Sequence, residues 1–327
     1  MLAVRALQIA AVVLTAGAFV FQFLVVPRAD REGAQAAGKE LERWLRLVCV
    51  CGVVLAVVSW VLWLGLVAAS MSGKAIDQAL DVEILSAVLS GTTFGHVWLV
   101  RLGLLLLLAG VLFLSQRRAG ERAQALRVAG ACVATGVLIS LAWAGHALGT
   151  EQSMRPIHLA ADAAHLLGTG LWLGALVPLL FVLGAARRSG TRTWQSLAAV
   201  ATRRFSALGV FAVTTLLVSG LINACFLVGS FPALLETSYG RLVSLKVVLF
   251  VGIVSIAAVN RLKLRPQLSA DGGWDERSPR ALEKLWRNVI AEICLGAIIL
   301  AIVGGLGLTS PSAHEQHHIG NHLHTAR

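Results

Sequence analysis

Eight runs of about 20 apolar residues, enough for each to cross a bilayer as a helix, occupy most of this 327-residue chain. They fall near 6–27, 45–69, 96–115, 128–148, 157–184, 205–229, 240–260 and 287–308. A soluble domain covers its core with a polar shell and has no use for so much uninterrupted apolar length. Inside a bilayer the backbone N–H and C=O groups find no water, so such runs are stable as helices. The expected fold is therefore an all-α membrane protein, a bundle of about eight transmembrane helices over 1–308 followed by a His-rich tail at 309–327.

Charge sets the orientation. A net charge of +11 would suit a nucleic-acid partner if the basic residues shared one soluble face. Instead most of the 28 lysines and arginines lie in alternate connecting segments, 28–46, 117–127, 187–204 and 261–287. This is the positive-inside pattern, which puts those segments in the cytoplasm and both termini on the periplasmic side. The basicity is a topology signal; the partner it implies is the lipid bilayer, and no nucleic acid is expected. The first apolar run is too long for a signal-peptide core and its basic cluster follows it, so it reads as a spanning helix. The outer segment 70–95 has room for a surface helix around 75–89. All five cysteines fall within expected helices, and no disulfide framework is expected of them. Cys49 or Cys51, Cys132 and Cys294 share the inner half, where thiolates would suit an exit site for Cu(I), although buried cysteines need no such role.

With this topology all nine histidines lie on the outer side or in the outer half of the membrane. His96 opens the third helix and His146 closes the fourth. In the fifth, His158, Asp162 and His165 recur at i, i+4 and i+7 and so share a face, with Trp172 on roughly the same side. The loop before this helix is short, which sets His146 and His158 at similar depth, with Met154 between them. Imidazole and thioether donors suit copper, as Cu(I) or Cu(II). The candidate metal ligands are thus His146, Met154, His158, His165 and His96, with Asp162. The tail "HEQHHIGNHLHTAR" adds His314, His317, His318, His322 and His324 as a capture tract.

Ionisable groups within a span are costly and usually functional. Asp162 lies at a depth matching Arg101 and Lys246, which predicts an ion-pair layer. Asn223 and Glu292 are polar points in helices six and eight, with Arg261 or Arg204 as the expected partner of Glu292. Pro178 is expected to distort the fifth helix, and "GTGLWLGA" and "LGAIILAIVGGLG" to let helices approach closely.

In order and spacing, "LAWAGHA", "HLAADAAHLLGTGLWLGALVPLL", "RFSALGVFAVTTLLVSGLINA", "YGRLVSLKVVLFVGIVSIAAVNR" and "AEICLGAIILAIVGGLG" resemble the copper-resistance protein D (CopD) family. The resemblance covers most of the chain and is strongest from about 140 to 308. It implies an eight-helix inner-membrane protein that handles copper, usually thought to carry it from periplasm to cytoplasm. Position by position it points to His146, His165, Asp162 and Trp172, with Asn223, Lys246, Asn260 and Glu292 as a polar framework. One departure stands out. Where the family often shows a histidine in the first helix ("RALH"), this chain has Gln8, and an amide is a poor copper ligand.

Three functions compete at this point. The leading one is a copper permease or delivery protein, in which the tail gathers ions and the histidine cluster binds them. A periplasmic copper-binding protein is its candidate partner. The chain shows no nucleotide-binding, phosphorylatable-aspartate or CPC motif, so no enzymatic activity is expected, and transport would draw on a gradient, the membrane potential or a partner's affinity. The alternative is a membrane redox protein holding haem b, with His146 or His96 facing His165 as axial ligands. The third is a structural partner of another copper protein, with no site of its own.

Overall fold

The computed structural model describes residues 1–26, 32–117, 120–144, 151–228, 232–268 and 277–306. Among them no strand occurs. Eight helices are long and apolar enough to cross a membrane: α1 Leu2–Val25, α2 Ala36–Ser72, α3 Thr93–Ser115, α4 Gly120–Trp143, α5 Arg155–Ser189, α6 Arg192–Leu227, α7 Ser238–Gln267 and α8 Ser278–Leu306. The expected bundle is therefore present. His146 and the five tail histidines lie outside the described residues.

The helices overrun their apolar cores at the basic end. The helix that contains the α2 span extends back to Glu32, and α6 and α8 begin at Arg192 and Ser278, each well before its hydrophobic run. These extensions are rich in Ala, Leu, Glu, Arg and Lys, which keep the helical conformation once hydropathy has ended. Beyond the hydrocarbon they brace one another through charge and aromatic contact. Arg187 Nε meets Glu283 Oε2 at 2.6 Å, and its guanidinium lies 4.1 Å over the Trp286 ring. Arg127 pairs with Glu42 at 3.1 Å, and Trp44 stacks on Phe181 at 4.3 Å.

Inside the bundle α1 is the central post, packed against α2, α4, α5 and α8. Lipid tails are as apolar as leucine, so close van der Waals fit rather than burial from water holds such helices together. The tightest crossing is between α1 and α5. A Cβ on Gly17 would lie 2.1 Å from the Gly174 carbonyl carbon, and one on Gly174 would lie 2.1 Å from the Val13 carbonyl oxygen. Val54, Leu62, Leu106 and Val248 point outward as a lipid-facing surface.

Three spans contain a π-helical turn, at Phe21–Val25, Gly170–Gly174 and Asn260–Leu264. The second explains itself. Pro178 has no N–H for the Gly174 carbonyl and its ring crowds that oxygen, and widening the preceding turn relieves both problems. The distortion expected of Pro178 thus sits on the turn that carries Trp172. The surface helix expected around 75–89 forms as two pieces, Ile76–Ala79 and Val82–Gly91, because the Asp81 carboxylate accepts from Glu83 N at 3.0 Å and restarts the helix. Cys49 is buried, whereas Cys51, Cys132, Cys225 and Cys294 are exposed on the bundle surface, so the sulfurs do not converge on an interior exit.

Candidate metal site between α5, α6 and α7

Helices α5 and α6 are joined by a short turn and run antiparallel, so equal spacings on the two chains meet as rungs. The His158 ring stacks on Phe226, with centroids 4.7 Å apart and planes inclined by 10°. One turn further, Asn223 Nδ2 donates to Asp162 Oδ1 at 3.2 Å. On the next rung, His165 Nδ1 lies 3.1 Å from Ser219 Oγ. The residues of α6 therefore repeat the i, i+4, i+7 pattern of α5 in reverse.

The third rung fixes the histidine tautomer. Ser219 gives its hydroxyl hydrogen to the Thr215 carbonyl at 2.6 Å, so its oxygen is left to accept, and His165 Nδ1 must carry the proton. The lone pair is then on Nε2, and Lys246 Nζ of α7 approaches it at 3.3 Å. A lysine ammonium has only donors, so it donates to Nε2. Gly220 leaves room for the ring: a Cβ there would sit 3.4 Å from His165 Cε1.

Asp162 completes the group. Lys246 and Arg5 both attract it, but neither meets it as a contact ion pair; among the described residues the pairs within 4 Å are Arg127–Glu42 and Arg187–Glu283. Its hydrogen bond orients the Asn223 amide, because turning that amide over would set oxygen against oxygen. Asn223 Oδ1 is consequently buried with no partner. An imidazole nitrogen, a carboxylate and an unspent amide oxygen thus lie on adjacent rungs.

Other candidates are separated from this point. Met154 precedes the first turn of α5, is 46% exposed, and stands about 16 Å along the axis from His165 at 1.5 Å per residue. His158, 1% exposed and stacked on Phe226, is about 10 Å from His165 by the same measure. His96 is exposed at the start of α3. No group of three His, Cys, Asp or Glu able to hold a metal occurs among the described residues. Arg101 is not a partner of Asp162: its Nε donates to Ser140 Oγ at 3.1 Å, an Nη donates to the Ser140 carbonyl, and its guanidinium lies 4.7 Å over the Trp60 ring.

A second polar group lies toward the basic end. Asn260 Nδ2 donates to Glu292 Oε1 at 2.6 Å, Asn288 Nδ2 donates to Asn260 Oδ1 at 2.7 Å, and Trp172 lines the same cavity as Glu292. The arginines expected beside Glu292 go elsewhere. Arg261 donates to the Ser206 carbonyl and hydroxyl, both at 2.8 Å, and Arg204 to the Val26 carbonyl at 3.3 Å. Thr202 Oγ1, buried and without a partner, lines a cavity of about 220 Å³ shared with Trp172, Asn260 and Glu292. Ser219, Asn288, Arg5 and Thr202 had no mark in the sequence except, for Ser219, its spacing from Asn223.

Comparison with known proteins bears on the whole chain. The model of the family described as copper resistance protein D matches residues 199–306, and that of the copper resistance protein D-like N-terminal domain matches 1–156. "Inner membrane protein YebZ" of Escherichia coli (strain K12) is 32% identical over 241 residues, 74% of this chain and 77% of the relative. "Copper resistance protein D" of Pseudomonas syringae pv. tomato is 29% identical over 270 residues, 82% and 83% of the two chains. "Copper transport protein CutJ" of Bacillus subtilis (strain 168) is 26% identical over 233 residues, 71% of this chain but 41% of that longer protein. No solved structure matches. With both family models matched in order along one eight-helix bundle, and a relative matched over most of its length, the chain belongs to the copper resistance protein D family.

Proposed function

We propose that this protein carries copper across the bacterial inner membrane, from periplasm to cytoplasm, and that His165 is the first ligand the ion meets within the bundle. Membership of a copper-resistance family, with relatives named for copper resistance and copper transport, makes copper handling its business. The observation that carries the finer reading is the His165 imidazole, whose lone pair is held by Lys246 next to Asp162 and the unspent Asn223 oxygen.

An incoming copper ion competes with the Lys246 ammonium for Nε2. The ammonium then has Asp162 to turn to, which pairs the displaced charge within the bundle. The donors are nitrogen and oxygen, a set that favours Cu(II) over Cu(I). From there the Glu292, Asn260 and Asn288 group, reached past Trp172, is the next polar station toward the basic, cytoplasmic end. Ion movement is driven by a gradient, the membrane potential or a periplasmic copper-binding partner, and the chain is not an enzyme.

The test is elemental analysis of detergent-purified protein truncated after Pro311 and supplied in turn with Cu(I) and Cu(II). Equimolar copper in the truncated protein and none in its His165→Ala variant is the expected result. Stoichiometric iron would replace this reading with haem binding, and an absence of metal would leave copper to the tail or a partner.

A further inference from the structure

Outside the copper reading, the N-terminal half of the bundle contains a cavity of about 280 Å³ at the end opposite the basic loops, between α1, α2, α3 and α4. Two of its lining residues are arginines, Arg5 and Arg101, and none of the described lining residues is a carboxylate. The two guanidiniums are near enough to repel one another. Arg5 is also drawn toward Asp162, which does not line the cavity. Arg101, 3% exposed, has Nε and one Nη committed to Ser140, which leaves its other Nη uncommitted. Gln8 lines the same cavity, is 4% exposed, and has an Nε2 donor with no partner.

The walls are built in advance. Trp60 Nε1 donates to the Trp98 carbonyl at 3.3 Å and Trp98 Nε1 donates back to the Trp60 carbonyl at 3.1 Å, which locks α2 to α3. Arg101 lies over Trp60 and Arg5 lies 5.8 Å over Trp63, so aromatic faces hold both cations in an apolar setting. Arg5 is about 5 Å and Arg101 about 12 Å into their helices at 1.5 Å per residue, the depth range of lipid headgroups and the glycerol below them. Two guanidiniums and an unspent amide donor around one cavity suit an oxyanion.

We propose that this cavity binds a phosphate oxyanion presented as the headgroup of an anionic phospholipid, with Arg5, Arg101 and Gln8 as its donors. Its position at the membrane interface favours a lipid over free phosphate as the source. The proposal does not depend on copper.

The full chain in nanodiscs is titrated with phosphatidylglycerol or phosphatidylcholine bearing brominated acyl chains, and tryptophan quenching is read, since Trp60, Trp63, Trp98 and Trp143 all line the cavity. The expected result is a preference for phosphatidylglycerol of about tenfold or more, reduced about tenfold by Gln8→Leu and by Arg5→Gln, the loss of one hydrogen bond to a charged group. Gln8→Leu is the decisive variant, because it removes an unspent donor, leaves every ion in place and should not lower the melting temperature. Relief of quenching by millimolar inorganic phosphate supports the same oxyanion chemistry with a soluble source. Equal quenching by the two lipids, or a preference that both variants keep, overturns the proposal.

Discussion

Lys246 Nζ lies 3.3 Å from His165 Nε2, on the one lone pair of that imidazole open to a metal. The contact joins α7, which is mostly lipid-facing, to the α5–α6 pair. It makes the site exclusive: a proton-bearing amine or a metal ion holds Nε2, never both.

Replacing the amine should therefore help binding. Lys246→Met removes both the hydrogen bond to His165 and a positive charge beside the incoming cation. A hydrogen bond to a charged group is worth about 1.5–3 kcal/mol, so copper affinity should rise by about tenfold or more. Chelator competition in detergent measures it, with His165→Ala as the variant that loses copper. Weaker binding in Lys246→Met would mean that the lysine helps hold the ion instead of guarding its place.

Asn223 is expected to matter for stability as well as for binding. It is the neutral donor to Asp162, and Asn223→Leu would leave that carboxylate without it inside the bundle. The expected cost is about 1–3 kcal/mol, read as thermal unfolding in detergent. Asp162→Asn in the same background should recover part of the loss, since the two residues act as a pair. Additive losses would show that the hydrogen bond carries no coupling.

The part of this site that lies within one helix was legible in the sequence, and the part that lies between helices was not. His158, Asp162 and His165 share a face because 3.6 residues make a turn, and that can be counted. Nothing in α5 says that α6 supplies Ser219, or that Lys246 rather than Arg101 arrives from a neighbour. The available signal was Ser219, Asn223 and Phe226 repeating the α5 spacing on an antiparallel helix. Grouping Met154 and His158 with His165 followed from shared topology, and the rise per residue then separates them by two or more turns. The span count was legible from apolar length alone. The helical extensions at the basic end were not, because hydropathy fades where Arg187, Glu283 and Trp286 take over.

The α1–α5 crossing gives a test of packing with an internal control. Gly17→Ala would drive a Cβ to 2.1 Å from the Gly174 backbone, which cannot be relieved by turning a side chain. Overpacking of this kind costs about 1–3 kcal/mol or more. Gly103→Ala in α3 meets nothing within 4 Å and should be neutral or stabilising by about 0.5–1 kcal/mol. The melting temperature should fall in Gly17→Ala and hold or rise in Gly103→Ala, and a Gly17→Ala protein as stable as wild type would mean that the helices do not cross this closely.

Glu292 separates binding from passage. It is 2% exposed and accepts a hydrogen bond from Asn260, a neutral donor that orients its carboxyl group. An ionised carboxylate in a bundle is costly without a counter-cation, which a passing metal ion supplies. Glu292→Gln keeps the shape and removes the charge, so it should leave copper at His165 equimolar in detergent while slowing copper uptake into proteoliposomes by about tenfold or more. That factor corresponds to about 1.4 kcal/mol lost at one step of the path. Uptake at the wild-type rate would place the route elsewhere and return Glu292 to a purely structural role. Loss of copper from His165 itself would join the two polar groups into one site, which their separation along α5 argues against.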